Sequence, residues 1–90
     1  MLKVRYSSKF KKDFKTIIRR GYDITLFEDV VGLLREEKPL PENCCDHALK
    51  GEYMGHRECH ISPDWLLIYK VENDMITLSL TRTGTHSDLF

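Results

Sequence analysis

No stretch of this chain is apolar for anything near the roughly 18 to 20 residues that a membrane-spanning helix needs. The opening Met1-Leu2-Lys3-Val4-Arg5 is too charged to be the apolar core of a signal peptide. No membrane association is expected, and the cytoplasm is the expected location. Net charge is missing too: fourteen Lys and Arg meet fourteen Asp and Glu, which argues against simple electrostatic capture of nucleic acid by the chain as a whole. Cysteine is scarce. Cys44, Cys45 and Cys59 are odd in number and two are adjacent, which suits reduced thiols better than a disulfide framework. With His47 and His60 they form a short interval of metal-capable donors, but the spacing matches no CxxC or HxxxH pattern, so neither a metal nor any other cofactor is expected. Repeats, linkers and low-complexity segments are absent. Ninety residues bury only about 60 to 65 per cent of the surface of the unfolded chain, so one domain over 1–90, with one core and one site, is the expectation.

The zero net charge hides a segregation. Residues 1–20 carry eight Lys or Arg against Asp13 alone, residues 21–46 carry seven acids against Arg35 and Lys38, and the remainder carries four bases against six acids. One end can face a polyanion while the middle repels it, although a charged helix surface is also what plain solvation produces.

Leu2, Val4 and Tyr6 alternate with Lys3 and Arg5, the two-residue period of a half-buried strand. Ser7 and Ser8 can cap a following helix whose stripe is Phe10, Phe14, Ile17 and Ile18, and Gly21 stops it. Thr25-Leu26-Phe27-Glu28 reads as a capping box that opens a second helix with the stripe Phe27, Val30, Val31 and Leu34. Lys38-Pro39-Leu40-Pro41 ends that helix. The period then becomes two: a short extended piece from His47 to Lys50, a strand from Arg57 to Ile61, a turn at Ser62-Pro63-Asp64, the run Trp65 to Val71, a turn at Glu72-Asn73-Asp74, and a strand from Met75 to Thr83. Strand, helix, helix and a strand meander imply an α+β domain with two N-terminal helices packed on one face of a small, antiparallel-rich sheet. On the last strand Ile76, Leu78 and Leu80 alternate with Thr77, Ser79 and Thr81, so the other sheet face should be polar and open to a ligand.

His47, His56, Arg57, His60, Asp64, Trp65, Arg82 and His86 crowd the second half, and they include every histidine of the chain. Imidazole both takes and gives protons near neutral pH. Two histidines and an arginine suffice for metal-free cleavage of RNA: one imidazole deprotonates the attacking 2′-hydroxyl, a second protonates the departing 5′-oxygen, and the guanidinium neutralises the phosphorane oxygens. DNA, which lacks the 2′-hydroxyl, would be inert. A single histidine on a strand is more often structural, Pro-Asp is ordinary turn chemistry, and Trp65 opening an apolar strand reads mainly as a core anchor.

Three elements taken together sharpen this reading: Asp46-His47-Ala48-Leu49-Lys50-Gly51, then Gly55-His56-Arg57-Glu58-Cys59-His60-Ile61-Ser62-Pro63-Asp64-Trp65, and finally Arg82-Thr83-Gly84-Thr85-His86-Ser87-Asp88-Leu89-Phe90. They resemble the YafQ-type mRNA interferases of the RelE/ParE toxin superfamily, whose fold agrees with the strand, helix, helix order of the first half. The resemblance implies that His47, His60, Asp64 and His86 form the acid-base and orienting set, and that Arg82 lies against the scissile phosphate. It also implies that Phe90 positions a nucleotide, with Arg57 and Trp65 beside the substrate. Ribosome-dependent cleavage of mRNA codons in the A site follows from it, as does neutralisation by a cognate antitoxin with a DNA-binding domain of its own. Two departures stand out. The chain is neutral where the family is basic, and His56 and Cys59 replace an aromatic and a small residue. His56 reads as a surface substitution. Two other functions compete with the nuclease. A ParE-like gyrase inhibitor of the same fold would have no use for several histidines and an arginine on one sheet face, and a small zinc-binding interaction module rests only on the density of cysteine and histidine.

Overall fold

The computed structural model describes residues 1–90. Its elements are β1 (Lys3–Tyr6), α1 (Ser8–Arg19), α2 (Ile24–Arg35), β2 (His47–Ala48), β3 (Arg57–Ser62), β4 (Trp65–Glu72), β5 (Thr77–Gly84) and α3 (His86–Leu89). The sheet order is β1-β5-β4-β3-β2. The β2 to β5 meander is antiparallel, and β1 adds to β5 in parallel, Lys3 opposite Thr77 and Tyr6 opposite Leu80. The connection from β1 to its parallel neighbour β5 runs through both helices and the strands β2 to β4, far beyond the dozen residues a parallel crossover needs.

Local chemistry sets the helix ends. The Ser7 hydroxyl accepts the Phe10 amide at 2.9 Å and opens α1. Gly21, at φ +77°, follows the α1 C-cap in the left-handed region that glycine adopts without steric cost. The start of α2 differs from the capping box expected at Thr25: Asp23 is the N-cap, and its carboxylate accepts both the Thr25 amide (3.0 Å) and the Thr25 hydroxyl (2.6 Å). An ionised acceptor at a helix N-terminus outcompetes a hydroxyl two residues on.

The main core lies between the helices and one sheet face. Phe10 and Ile17 of α1, Phe27, Val30 and Leu34 of α2, and Cys59, Trp65, Leu67, Leu78 and Leu80 of the sheet are all buried there. Ile18 and Ile76, expected in the stripes, are 54 % and 62 % exposed. Ile76 stands just before β5 with φ +50°, so the turn, not the strand pattern, sets its direction.

The opposite sheet face is less open than expected. Leu66, Ile68 and Leu89 are buried in a second cluster, with Leu49 and Tyr53 packed against it. The strand β4 is therefore apolar from Trp65 through Tyr69 because both of its faces are covered. The cover on this side is α3 and the 3-10 turn at Gly51–Tyr53.

A bulge in β5 decides where its arginine goes. Tyr69 pairs with Leu80, yet Ile68 pairs with Arg82, so Thr81 is the extra residue. Unbroken alternation would put Arg82 on the same face as Leu80; the bulge turns it to the face of Ile68, which is the re-aiming that bulges provide. At this height β5 has no strand neighbour on its outer side. Residues of the α1 end take that place: Ser7 donates its amide to Leu80 O (3.1 Å) and its hydroxyl to Thr81 O (2.6 Å), and Asp13 accepts the Thr83 amide (3.2 Å).

Candidate active site on the far sheet face

Strand parity sends Glu58 and His60 of β3 to the far face, since Cys59 and Ile61 between and beside them lie in the helix-side core. His60 pairs with Leu66, and Leu66 pairs with Gly84. Two residues after Gly84, α3 begins with His86, and Leu89 anchors it on Leu66 and Ile68. His60, Arg82, His86 and Phe90 are thereby gathered at one end of this face.

The turn after β3 links the histidines. His60 Nδ1 lies 3.3 Å from the Pro63 carbonyl, and the next residue, Asp64, accepts the His86 backbone amide at 3.4 Å. A carbonyl only accepts, so His60 carries its proton on Nδ1 when neutral and leaves the Nε2 lone pair free to take one. Asp64 thereby steadies the start of α3 through backbone, beside the place in the acid-base and orienting set that the resemblance implies for it. The His86 ring makes no hydrogen bond; it leans on Phe90, with centroids 5.2 Å apart, and both residues are exposed.

His47 stands on β2 opposite Glu58. Its Nδ1 donates to the Cys45 carbonyl at 2.8 Å, and its Nε2 faces Glu58 Oε1 at 3.5 Å. Glu58 is only 5 % exposed, and its Oε2 meets no partner. A buried carboxylate with an unpaired oxygen is costly unless something is brought to it. Sequence reasoning passed over Glu58; the signal that could have found it is a lone acid at an inward position between Cys59 and a paired β2 strand.

Arg82 is held by Asp13 of α1, Nε to Oδ2 at 2.6 Å and Nη2 to Oδ1 at 3.0 Å. The pair is 20 % and 15 % exposed, and the carboxylate, with the Tyr53 hydroxyl as a lesser influence, keeps the guanidinium firmly charged. A bidentate fork of this kind fixes the plane of the arginine. Asp13 is a second residue that the sequence did not disclose, because 69 positions separate the partners.

Two expected substrate contacts lie elsewhere. Trp65 is 1 % exposed in the helix-side core, its Nε1 donates to Thr83 Oγ1 at 2.8 Å, and Tyr22 meets it edge-on; it is a scaffold residue. Arg57 has the parity of Cys59 and pairs with Asp46 at 3.2 Å, whose carboxylate also takes the Tyr69 hydroxyl at 2.6 Å. That ion pair points Arg57 away from the far face. Among the cysteines, burial pushes the Cys59 thiol well up, which makes it inert packing.

The whole chain has known relatives. A family described as the bacterial toxin of a type II toxin-antitoxin system, YafQ, matches residues 2–90. The mRNA interferase toxin YafQ of Escherichia coli K12 is 39 % identical over 88 residues, covering 97 % of this chain and 94 % of the relative. Among solved structures, a metal-bound toxin from Helicobacter pylori superposes with TM-score 0.94 at 46 % identity, covering all of both chains. The toxin in an E. coli DinJ-YafQ complex superposes with TM-score 0.88 at 37 % identity, covering 100 % and 99 %. The metal is a finding about the H. pylori protein. Here no three His, Cys, Asp or Glu side chains converge as a ligand set, and His47 with Glu58 supplies two donors only.

Proposed function

Because this chain belongs to the YafQ family of bacterial toxins from type II toxin-antitoxin systems, we propose that its far sheet face is the active site of an endoribonuclease that cuts mRNA by metal-free acid-base catalysis. The protein is the toxin of such a system and an mRNA interferase, and its partner is a cognate antitoxin. The gyrase-inhibiting alternative finds no support.

The observation that carries the mechanism is the convergence of His60, Asp64, Arg82 and His86 through one turn, one bulge and one short helix. His86, exposed and unbonded, serves as general acid toward the 5′-oxygen. His60, with its Nε2 lone pair free, serves as base toward the 2′-hydroxyl. Arg82, its plane fixed by Asp13, neutralises charge on the phosphorane. His47 and Glu58 flank the attacking side, with the His47 imidazole beside the Glu58 carboxylate. Ribosome-bound mRNA in the A site is the substrate and the cytoplasm the location; no helix is long and apolar enough to cross a membrane. The basic outer surface of α1 and the exposed site offer an antitoxin with a DNA-binding domain of its own both charge and apolar contact.

Incubation of the purified toxin with programmed ribosomes and with free RNA, in the presence of chelator, tests this. Cleavage favoured on the ribosome should leave 2′,3′-cyclic or 3′-phosphate and 5′-hydroxyl ends. Products bearing a 5′-phosphate would overturn the mechanism, as would loss of activity in EDTA. His86→Ala should stay folded and cut roughly 100- to 10,000-fold more slowly; a wild-type rate would remove His86 from catalysis.

A further inference from the structure

The far face continues past the reaction centre. His86 leans on Phe90 (5.2 Å between centroids), Phe90 meets Tyr53 edge-on (6.3 Å), and Tyr53 meets His56 edge-on (6.0 Å). This row of four rings leads from the general acid to a cleft of about 260 Å³. The lining of that cleft includes Arg5 of β1, His56, Lys70 and Glu72 of β4, and Ser79 and Thr81 of β5. None of these residues takes part in the chemistry described above.

The chemistry of the cleft is that of an anion site. Two permanent cations, Arg5 and Lys70, face one acid, Glu72, which is engaged with the Ser79 hydroxyl (3.2 Å) and, at 4.0 Å, with Arg5. Lys70 has no carboxylate partner. His56 lines the cleft with its ring, while its Nδ1 is shielded from solvent and meets no hydrogen-bond partner. Aromatic rings beside a cationic groove are the recurring means of holding single-stranded nucleic acid, with the rings stacking bases and the cations taking the backbone. The surface substitution that His56 resembled in the sequence is thus a half-buried wall of the cleft.

We infer that the cleft walled by Arg5, His56 and Lys70 is a second phosphate subsite, which holds a phosphodiester of the RNA flanking the scissile bond while the His56 ring, at the end of the Phe90–Tyr53–His56 row, stacks the intervening base. The inference deepens the nuclease reading and rests on it for the identity of the ligand. It also accounts for how a neutral chain grips a polyanion: local cations on one face act within a Debye length, where the zero total does not matter.

Binding separates the subsite from the chemistry. The probes are two oligoribonucleotides made uncleavable by 2′-O-methylation, a dinucleotide confined to the reaction centre and a hexanucleotide long enough to reach the cleft. The wild-type protein should hold the hexanucleotide more tightly. For His56→Ala the ratio of hexanucleotide to dinucleotide affinity should fall by roughly 5- to 150-fold, the range for a lost stacking partner. For Lys70→Ala the slope of log affinity against log salt should fall by about 0.7 for the hexanucleotide alone, the value for one phosphate contact on a single strand. Arg5→Glu, at a side chain 64 % exposed, repeats the test without risk to the core and should lower the same ratio. Equal losses for both probes, or no loss for either, overturn the subsite. A protein that binds the hexanucleotide through these residues but cuts no RNA would refute the nuclease chemistry and leave the subsite standing.

Discussion

Asp13 and Trp65 both touch the residues around Arg82, yet they serve different ends. Trp65 fills the helix-side core and holds Thr83 through its indole N–H. Its truncation should cost roughly 3 to 5 kcal/mol, the range for a large buried ring. Asp13 holds the Arg82 fork and the Thr83 amide together. Asp13→Asn keeps the shape but removes the charge-assisted pairing, worth roughly 1.5 to 3 kcal/mol when partly buried. If that pairing orients the guanidinium for the phosphorane, kcat should fall roughly 10- to 100-fold with KM less affected, and Asp13→Glu should restore part of it. Single-turnover cleavage and thermal melts of the two variants check both statements. Faster cleavage by Asp13→Asn would mean that Asp13 competes with the substrate for Arg82.

At the scale of elements, α3 is the piece on which the site depends most, and it is only four residues long. Its hold comes from outside. Asp88 closes a capping box with Thr85 and forks onto Arg20 at 2.6 and 3.1 Å, so the end of α1 clamps the helix that carries His86. Gly84 makes room for this clamp, since a Cβ there would stand 2.9 Å from Asp88 Oδ2. Arg20, then the Thr85 amide, hold the Asp88 carboxyl well below the usual carboxylate range. A depressed acid stabilises the fold above its ordinary pKa of about 3.9 and loses that contribution as pH falls toward its folded value. Asp88→Asn should therefore melt lower than wild type at neutral pH, with the gap closing below about pH 4; a gap that persists in strong acid would assign the effect to packing.

The same scale shows what the sequence disclosed. Periodicity located both helices and the three long strands, because each has one face to bury over several turns or residues. The second apolar cluster was hidden: a continuous run such as Trp65 to Tyr69 does not say which of its two faces is covered, or by what. The bulge at Thr81 was hidden too, since register is a property of two strands and not of one. Of the candidate site residues, His47, His60, Asp64, Arg82, His86 and Phe90 were nameable from motif, and their roles belong to the proposed mechanism. Glu58, Asp13 and Tyr53 were not, because their importance arises from partners far along the chain or from strand parity.

For the whole molecule, the charge segregation seen along the chain becomes spatial: Lys9, Lys11, Lys12, Lys15, Arg19 and Arg20 are all exposed on or just after α1. The parallel pairing of β1 with β5 has a different reach. Lys3 lies beside Thr77 and Tyr6 beside Leu80, so the sheet that carries Arg82 is completed by strands from opposite ends of the chain. Contacts this distant in sequence must close a long loop before they return any stability, which places refolding with mixed α/β domains, slower than helical bundles and faster than all-β barrels. Stopped-flow fluorescence of Trp65 measures it directly. Slow closure has a biological reading. Newly made or transiently opened toxin passes through a vulnerable interval in which the reaction centre does not yet exist and the backbone is open to proteases, and any partner that grips only the closed form shortens that interval. A single backbone cut in the segment joining α2 to β2 would turn the β1–β5 pairing from an intramolecular closure into an encounter between two fragments.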